Sequence, residues 1–499
     1  MRKILVANRG EIALRVMKAC REMGVLTVAV YSTSDKGSLH VQFADEAVCI
    51  GSPPPLESYL NIERIIATAK QVGADAVHPG YGFLAENSNF ARRCAEENIT
   101  FIGPNHEAMR LLGNKVESRK TMVKAGVPVI PGMMGGCTET STLVNEAIKM
   151  GFPVLVKAAG GGGGKGMRIV RDGRELEESL SACMREAKTA FGDETIYLEK
   201  YIERSRHIEF QILADTHGNV VHLFERECSV QRRYQKIVEE TPSVALDDAL
   251  RAEMGSVAVQ VAKTAGYTNA GTVEFLLDQA GTFYFLEVNA RVQVEHPITE
   301  AVVGIDIVKQ QIRMASGEKL SLRQEDLRQR GHAIECRIYA EDPENDFLPC
   351  AGKILFLKEP AGPGIRCDSG IWTGCEVSVH YDPILSKLVA WDETREQARR
   401  RMASALRQYV ILGIRTTTSF LADVMEHPAF AEGRTHTGFI PEHFAHWKPP
   451  EVDPEELNMA LMAAAALNKI GAGAKLVAAA KETFSPWRTS SRWRIAGIG

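Results

Sequence analysis

Residues 271–297 read GTVEFLLDQAGTFYFLEVNARVQVEHP. Two strands, Thr272–Leu277 and Thr282–Val288, are joined by the turn-type tetrapeptide Asp278-Gln279-Ala280-Gly281. A symmetric four-residue loop sets Glu274 opposite Phe285, with Glu287 two residues further on the same face and Asn289 two beyond that. Diagonal neighbours across such a ladder lie roughly 7–8 Å apart, within reach of a shared cation. Three oxygen donors on one face suit Mg²⁺, which takes carboxylates, water and phosphate oxygens. The plainer alternative is a solvated polar face. Against it, Phe275, Leu276, Phe283, Phe285 and Leu286 flank these carboxylates, and a carboxylate among apolar neighbours needs a partner or a metal. Downstream, Arg291, Gln293 and Glu295 alternate, which predicts an extended segment projecting all three to one side. Such a segment sets a guanidinium fork for a small oxyanion beside a general base. A surface ion-pair ladder is the bland alternative.

Upstream, residues 157–170 read KAAGGGGGKGMRIV. Each glycine there carries a conformational penalty of roughly 0.5–1 kcal/mol relative to alanine. A tract of this kind exists where backbone must approach a ligand or move, and bare N–H groups cradle phosphate oxygens. A formal GxGxxG is present (Gly161, Gly163, Gly166), but a strand follows it rather than a helix. Lys165 precedes Gly166 instead of Ser or Thr, so the tract is not a Walker A loop either. Strand, glycine loop, strand reads as a flap over a nucleotide, with Lys157 and Lys165 at its edges; a flexible surface hairpin is the alternative.

The rest of the chain places these motifs. Lys3–Ala7, Thr27–Tyr31, Ala47–Ile50, Ala76–His78 and Thr100–Ile102 read as strands. They alternate with helices at Gly10–Glu22, Ile62–Val72 and Ser88–Glu97, which predicts a doubly wound parallel sheet. A second unit opens near Leu112 with helical Val116–Ala125. Residues 153–300 are then strand-rich, with one long helix at Ala249–Ala265. A third unit starts near Gly331, with strands HAIECRIYA and KILFL, a run through Ser386–Trp391 and an Arg-rich helix over Arg395–Val410. WKPPEVDP (447–454) reads as a linker, followed by an Ala-rich helix near Glu455–Lys469. Trp487 and Trp493, in the closing SPWRTSSRWRIAGIG, look like the opening of a β-domain.

At 499 residues, with 45% hydrophobic and 24% charged residues, the chain is globular and long enough for about three domains. A net charge of −4 gives no global basic field for nucleic acid or an anionic membrane, so an anionic substrate must be held by a local cluster. Candidate cations are Lys115, Lys200, His207, Lys236 and Arg337, each singly more often a surface charge than a ligand. No apolar run is long enough to span a bilayer, and the apolar stretch near the N-terminus is too short for a signal peptide. Ten scattered cysteines without CxxC read as free thiols in a reducing cytoplasm.

Taken together, these motifs resemble the biotin carboxylase component of biotin-dependent carboxylases, an ATP-grasp ligase family. The resemblance runs in order over about residues 1–446. It includes ILVANRGEIALRV (4–16), HPGYGFLAEN (78–87), FIGP (101–104), KAAGGGGGKGMR (157–168), LEKYIE (198–203), ERECSVQRRYQK (225–236), FLEVNARVQVEHPITE (285–300) and GHAIECRIYAEDP (331–343). It implies an N-terminal α/β domain (1–112), an ATP-grasp domain (113–330) with a mobile lid at about 130–203, a C-terminal domain (331–446) and a tail (447–499). The implied reaction converts MgATP (or MnATP) and bicarbonate to carboxyphosphate, which gives CO₂ and phosphate, and a deprotonated biotin nitrogen takes up the CO₂.

Carried over residue by residue, the resemblance implies that Lys115, Lys157, Gly163, Gly164, His207, Gln231 and Tyr234 meet ATP. Glu199, Lys200, Tyr201 and Ile202 would hold adenine. Glu274, Glu287 and Asn289 would take the metal, and Glu274 and Glu287 also border the nucleotide. Lys236, Arg291, Gln293 and Val294 would hold bicarbonate, Glu295 would remove its proton, and Tyr81 and Arg337 would meet biotin, Arg337 facing the enolate. Tyr234 departs from the family, which commonly has His there; altered nucleotide affinity without lost chemistry is the expectation. The family's biotinylated Met-Lys-Met does not occur in this sequence, so a biotin carboxyl carrier protein and carboxyltransferase subunits are the expected partners. A homodimer is expected by resemblance. The tail is either a docking helix or the stub of a further domain. A carbamoyl-phosphate synthetase and a nucleotide-sensing scaffold are the competing readings. The former lacks support from RVQVEHP and GHAIECR, and the latter would need lost ligands.

Overall fold

The computed structural model describes residues 1–159, 167–449, 451 and 453–477. Strand Lys3–Val6 pairs in parallel with Leu26–Ser32 on one side and Ala76–His78 on the other. Glu46–Gly51 and Thr100–Phe101 complete a five-stranded sheet. The predicted alternation of strand and helix holds here, with ends moved by a residue or two. Chain order reverses beside the first strand, which opens a crevice at the strands' carboxyl ends. Asn8 Nδ2 closes its floor by donating to the carbonyls of Pro79 and Tyr81, both at 2.7 Å. Between those residues Gly80 has φ +62°, and a Cβ there would lie 2.9 Å from Asn8 Nδ2. Helix Gly10–Glu22 starts at this crevice and buries Ile12, Ala13, Val16, Met17 and Cys20.

The next unit carries its own small core. Strands Met167–Val170, Val154–Ala158 and Ile196–Lys200 form a three-stranded antiparallel sheet. Helices Thr140–Met150 and Leu176–Phe191 cover it through Leu143, Ala147, Leu180, Cys183 and Ala187. The expectation of one long helix within 153–300 is corrected here. Leu176, Leu180, Cys183, Met184 and Ala187 fall at helical spacing, but small and polar-looking members hide the stripe.

An eight-stranded sheet forms the centre of the molecule. Its order is Phe283–Asn289, Asn269–Leu277, Arg206–Ala214, Val220–Arg232, Gln235–Thr241, His332–Tyr339, Ile384–Asp392 and Ile365–Ser369. Gln235–Thr241 pairs directly with His332–Tyr339, so one ladder joins the segments on either side of 330/331. Helix Asp248–Thr264 packs on this sheet through Met254, Ala258, Val261 and Ala262. Two expectations near the end of the unit are corrected. KILFL splits into Gly352–Lys353 and Phe356–Lys358, and the Arg-rich helix stops at Gln408, because Val410–Leu412 pairs with Phe356–Lys358.

Residues from Lys448 onward form a separate unit, in which helix Pro454–Val477 runs further than the sequence suggested. Leu457, Met459, Leu461 and Met462 are exposed on it. Trp487 and Trp493, like Gly163, Gly164 and Lys165, lie outside the described residues. No two of the ten cysteines form a disulfide. Among the described residues no helix is long and apolar enough to cross a membrane.

Three buried histidines make this fold acid-sensitive. Burial pushes His40 down to about 4, His78 to about 3 and His222 to about 4. Unfolded histidine titrates near 6.5, so on acidification the unfolded chain binds protons that the folded chain refuses. Stability is therefore complete above about pH 6.5 and falls as pH drops towards the folded values, by about 2 kcal/mol per histidine at pH 5. Urea unfolding is expected to show a markedly lower midpoint at pH 5 than at pH 7; equal midpoints would contradict this account.

Candidate active site

Strand Phe283–Asn289 contains a bulge. Glu274 pairs directly with Glu287 and Thr272 with Asn289, whereas Phe275 pairs with Phe285, leaving Leu286 as the extra residue. The predicted register, Glu274 opposite Phe285, is thereby corrected. The extra residue flips the alternation: Phe283, Phe285 and Val288 all enter the core, while Glu287 and Asn289 turn to the other face. The carboxylates are direct neighbours rather than diagonal ones. Glu274 is buried and Glu287 half-exposed.

Lys236, on the neighbouring part of the sheet, is the hub of this face. Its ammonium donates to Glu209 Oε2, to Glu274 Oε1 at 2.7 Å and to Glu295 Oε1 at 2.9 Å. Burial alone would lower its pKa, but the three carboxylates raise it well above the ordinary value, so Lys236 stays charged. Glu274 Oε1 also accepts from Asn289 Nδ2 at 2.8 Å and Gln293 Nε2 at 3.2 Å. Burial raises the Glu274 pKa, but Lys236 and then His207 overcome it and hold the carboxyl well below the usual range. His207 Nε2 lies 3.1 Å from Glu274 Oε2, at ion-pair distance without hydrogen-bond alignment. The other ring nitrogen meets Gln231 Nε2 at 2.8 Å. Behind Glu209 sits Arg226, wholly buried, with Nε 2.6 Å from Glu209 Oε1.

The segment after the bulged strand is not extended, which corrects the alternation argument for Arg291, Gln293 and Glu295. It bends, and Glu295 (φ −80°, ψ 9°) sits at the start of helix His296–Val303. A helix N-terminus favours an anion there. The three side chains still face one centre. Arg291 donates to Gln293 Oε1 at 2.9 Å and Asn289 Oδ1 at 3.0 Å, and its Nε lies 3.1 Å from Glu86 Oε2. Glu295 is fully buried, with Oε2 3.0 Å from Arg337 Nη2. Burial raises its pKa, but Lys236, then Arg337 and Arg226, hold it well below the ordinary carboxylate value. Arg337 is held from its other edge by Glu239 at 2.6 Å. Val294 contributes its carbonyl to Lys387 at 3.0 Å. The Tyr81 hydroxyl donates to Glu11.

The remaining expected ligands lie towards the small sheet. Lys115 Nζ is 3.2 Å from Glu287 Oε2. Lys157 pairs with Glu199, which Arg119 also binds at 2.9 Å. The Lys200 ammonium is fixed on the carbonyls of Gly151 and Phe152, at 2.9 and 3.0 Å. Only backbone and neighbouring side chains of the segment Glu199–Ile202 are thus left for a base, and of these Tyr201 N already donates to Pro153 O. Arg233 and Tyr234 form a two-residue turn, both with positive φ (47° and 65°). Arg232 and Arg233 clasp Asp346.

Sequence reasoning did not single out Glu11, Glu86, Arg119, Arg226, Glu239 or Lys387, and took Glu209 only as a structural partner for His207. Glu209 and Glu239 had a signal: charged residues in strands otherwise rich in Ile, Phe and Val.

Three family descriptions tile the main unit. "Biotin carboxylase, N-terminal domain" matches residues 1–109, "Carbamoyl-phosphate synthase L chain, ATP binding domain" matches 114–323, and "Biotin carboxylase C-terminal domain" matches 335–442. The chain is 53% identical over 440 residues to the biotin carboxylase of Nostoc sp., covering 88% of this chain and 98% of that one. It is 49% identical over 494 residues to the mitochondrial methylcrotonoyl-CoA carboxylase subunit alpha of Dictyostelium discoideum, covering 99% of this chain and 70% of the relative. Its structure resembles the biotin carboxylase domain dimer of Hydrogenobacter thermophilus 2-oxoglutarate carboxylase, solved with MgADP, ADP and bicarbonate. The TM-score is 0.88 at 48% identity, covering 90% of this chain and 99% of that one.

Proposed function

Because the chain belongs to the biotin carboxylase family, we propose that its buried carboxylate centre activates bicarbonate with MgATP and passes the carboxyl group to biotin on a carrier protein. One observation carries the assignment of roles: Glu295 bridges Lys236 and Arg337, at 2.9 and 3.0 Å. A single carboxylate thus joins the bicarbonate side to the biotin side. Lys236, Arg291, Gln293 and the Val294 backbone hold bicarbonate, and Glu295 takes its proton. The oxyanion then attacks the γ-phosphorus, ADP departs, and carboxyphosphate splits into CO₂ and phosphate. The phosphate so freed takes the proton of biotin's ureido nitrogen, which then takes up the CO₂ while Arg337 faces the developing oxygen charge.

In the ligand-free arrangement Glu295 is ionised but a weak base, because two cations stabilise its charge. When Lys236 and Arg337 turn to substrate oxygens, that stabilisation falls and Glu295 becomes a stronger base where it is needed.

Glu274, Glu287 and Asn289 fit a hard divalent cation. They present oxygens on one face, and ammonium groups answer the two carboxylates, Lys236 on Glu274 and Lys115 on Glu287. Mg²⁺ bound there neutralises phosphate charge. Lys115, Lys157, Gly163, Gly164, His207, Gln231 and Tyr234 are assigned to the nucleotide, with Glu199, Lys200, Tyr201 and Ile202 to its adenine. The lid over about residues 130–203 closes on it, a reading supported by that unit's separate core. Tyr234→His is expected to change KM for ATP by about threefold and leave kcat within about twofold. A kcat below a tenth of the starting value would overturn that.

We further assign the reaction to the cytoplasm, with a carboxyltransferase as partner and a homodimer as the assembly. The Dictyostelium alignment takes in helix Pro454–Val477, which fits a docking helix and the opening of a further domain alike.

The test is phosphate release from MgATP and bicarbonate, with and without free biotin. Stimulation by biotin supports the assignment. Release that depends on bicarbonate but ignores biotin sinks the acceptor.

A further inference from the structure

Lys387 is fully buried and the reaction just described gives it no role. It lies on strand Ile384–Asp392, directly opposite Arg337 on one neighbouring strand and Asp368 on the other. Its ammonium donates to the Val294 carbonyl at 3.0 Å and lies 3.1 Å from Glu11 Oε2. The Tyr81 ring centroid is 5.7 Å away, and Glu11's other oxygen accepts from the Tyr81 hydroxyl. Asp368 is 3.9 Å from the ammonium and is itself clasped by Arg366.

One cation thus gathers three separate stretches of chain. Glu11 begins the helix at the crevice of the parallel sheet, where chain order reverses and such folds take their ligands. Val294 precedes Glu295, so a bond to its carbonyl fixes the peptide that carries the base. Arg337 stands beside Lys387 across the ladder. A hydrophobic residue would join the strands as well without the desolvation of a buried charge. What the ammonium adds is direction: it aims an acceptor at the Tyr81 hydroxyl and sets the plane of the 294–295 peptide.

We infer that Lys387, with Glu11, is a positioning residue for biotin: it sets Tyr81 and Arg337, the two walls of the biotin pocket, in register with Glu295. This rests on the biotin-carboxylating reading proposed above. Neither residue touches substrate.

The test is steady-state kinetics of full-length Lys387→Met, with free biotin, bicarbonate and MgATP varied in turn. KM for biotin is expected to rise by about tenfold or more while KM for MgATP moves by less than about twofold. A merely structural residue would instead lower kcat for every substrate together, and that pattern, or no shift, overturns the inference. Should Lys387→Met fail to fold, Glu11→Gln decides. It keeps the side-chain shape and should raise KM for biotin by about threefold, and an unchanged value overturns the inference. Wild type that does not respond to biotin sinks the functional reading and this inference with it. A responsive wild type with unshifted variants sinks the inference alone.

Discussion

Glu295→Gln is expected to lower bicarbonate-dependent phosphate release by about 10³-fold, within the range seen when a general base is removed. The substitution preserves shape but removes the carboxylate proposed to take the proton. Glutamine cannot accept the bicarbonate proton, and its amide N–H₂ confronts Lys236 or Arg337, both cations, where a carboxylate oxygen stood. Folding should survive, because Lys236 keeps Glu209 and Glu274 and Arg337 keeps Glu239. The residual rate should climb with pH, since alkaline solution supplies carbonate that needs no base. Retention of more than about a tenth of the wild-type rate would show that the proton leaves by another route.

The largest stability loss is expected from Arg226→Met, about 3–5 kcal/mol in urea unfolding. The Arg226 guanidinium has no solvent exposure. Besides Glu209 it binds Gln211 Oε1 and Thr299 Oγ1, both at 2.9 Å, and Thr272 Oγ1 at 3.1 Å. Its removal orphans several buried acceptors together, and none has water to turn to. Glu209 then leans wholly on Lys236, which pulls that ammonium away from Glu274 and Glu295. Activity should therefore fall along with stability. The double variant Arg226→Met/Glu209→Gln should recover part of the stability, because the unpaired charge is gone. A loss below about 1 kcal/mol would mean that the site relaxes around the gap.

Much of this was legible in the chain. Alternating strands and helices gave the N-terminal sheet, and the motif order gave the family. Glu274, Glu287, Asn289, Lys236, Arg291, Gln293, Glu295, His207 and Arg337 do converge. Register was harder. A bulge at Leu286 leaves no mark in the pattern, since Leu286 looks like any strand residue, yet it alone decides whether Glu287 faces core or cleft. Lys200 illustrates a second limit. As a candidate cation it reads singly as a surface charge, yet two carbonyls just beyond helix Thr140–Met150 hold its ammonium. The positions missed outright, Glu11, Lys387 and Arg226, act through partners that only the folded sheet brings near.

The ladder between Gln235–Thr241 and His332–Tyr339 bears on how this protein can be cut and recombined. Gene fragments divided near 330 would leave two raw β-edges. One bears Glu239 and Glu240 and the other Arg337 and His332, their respective partners across the seam at 2.6 and 2.9 Å. Each fragment would carry buried ions stripped of their counterions and an edge primed for wrong partners. Chimaeras between related enzymes should therefore exchange residues 204–446 as one cassette. The better place for a crossover is the joint at 201–205, where the three-stranded sheet ends and the large sheet begins.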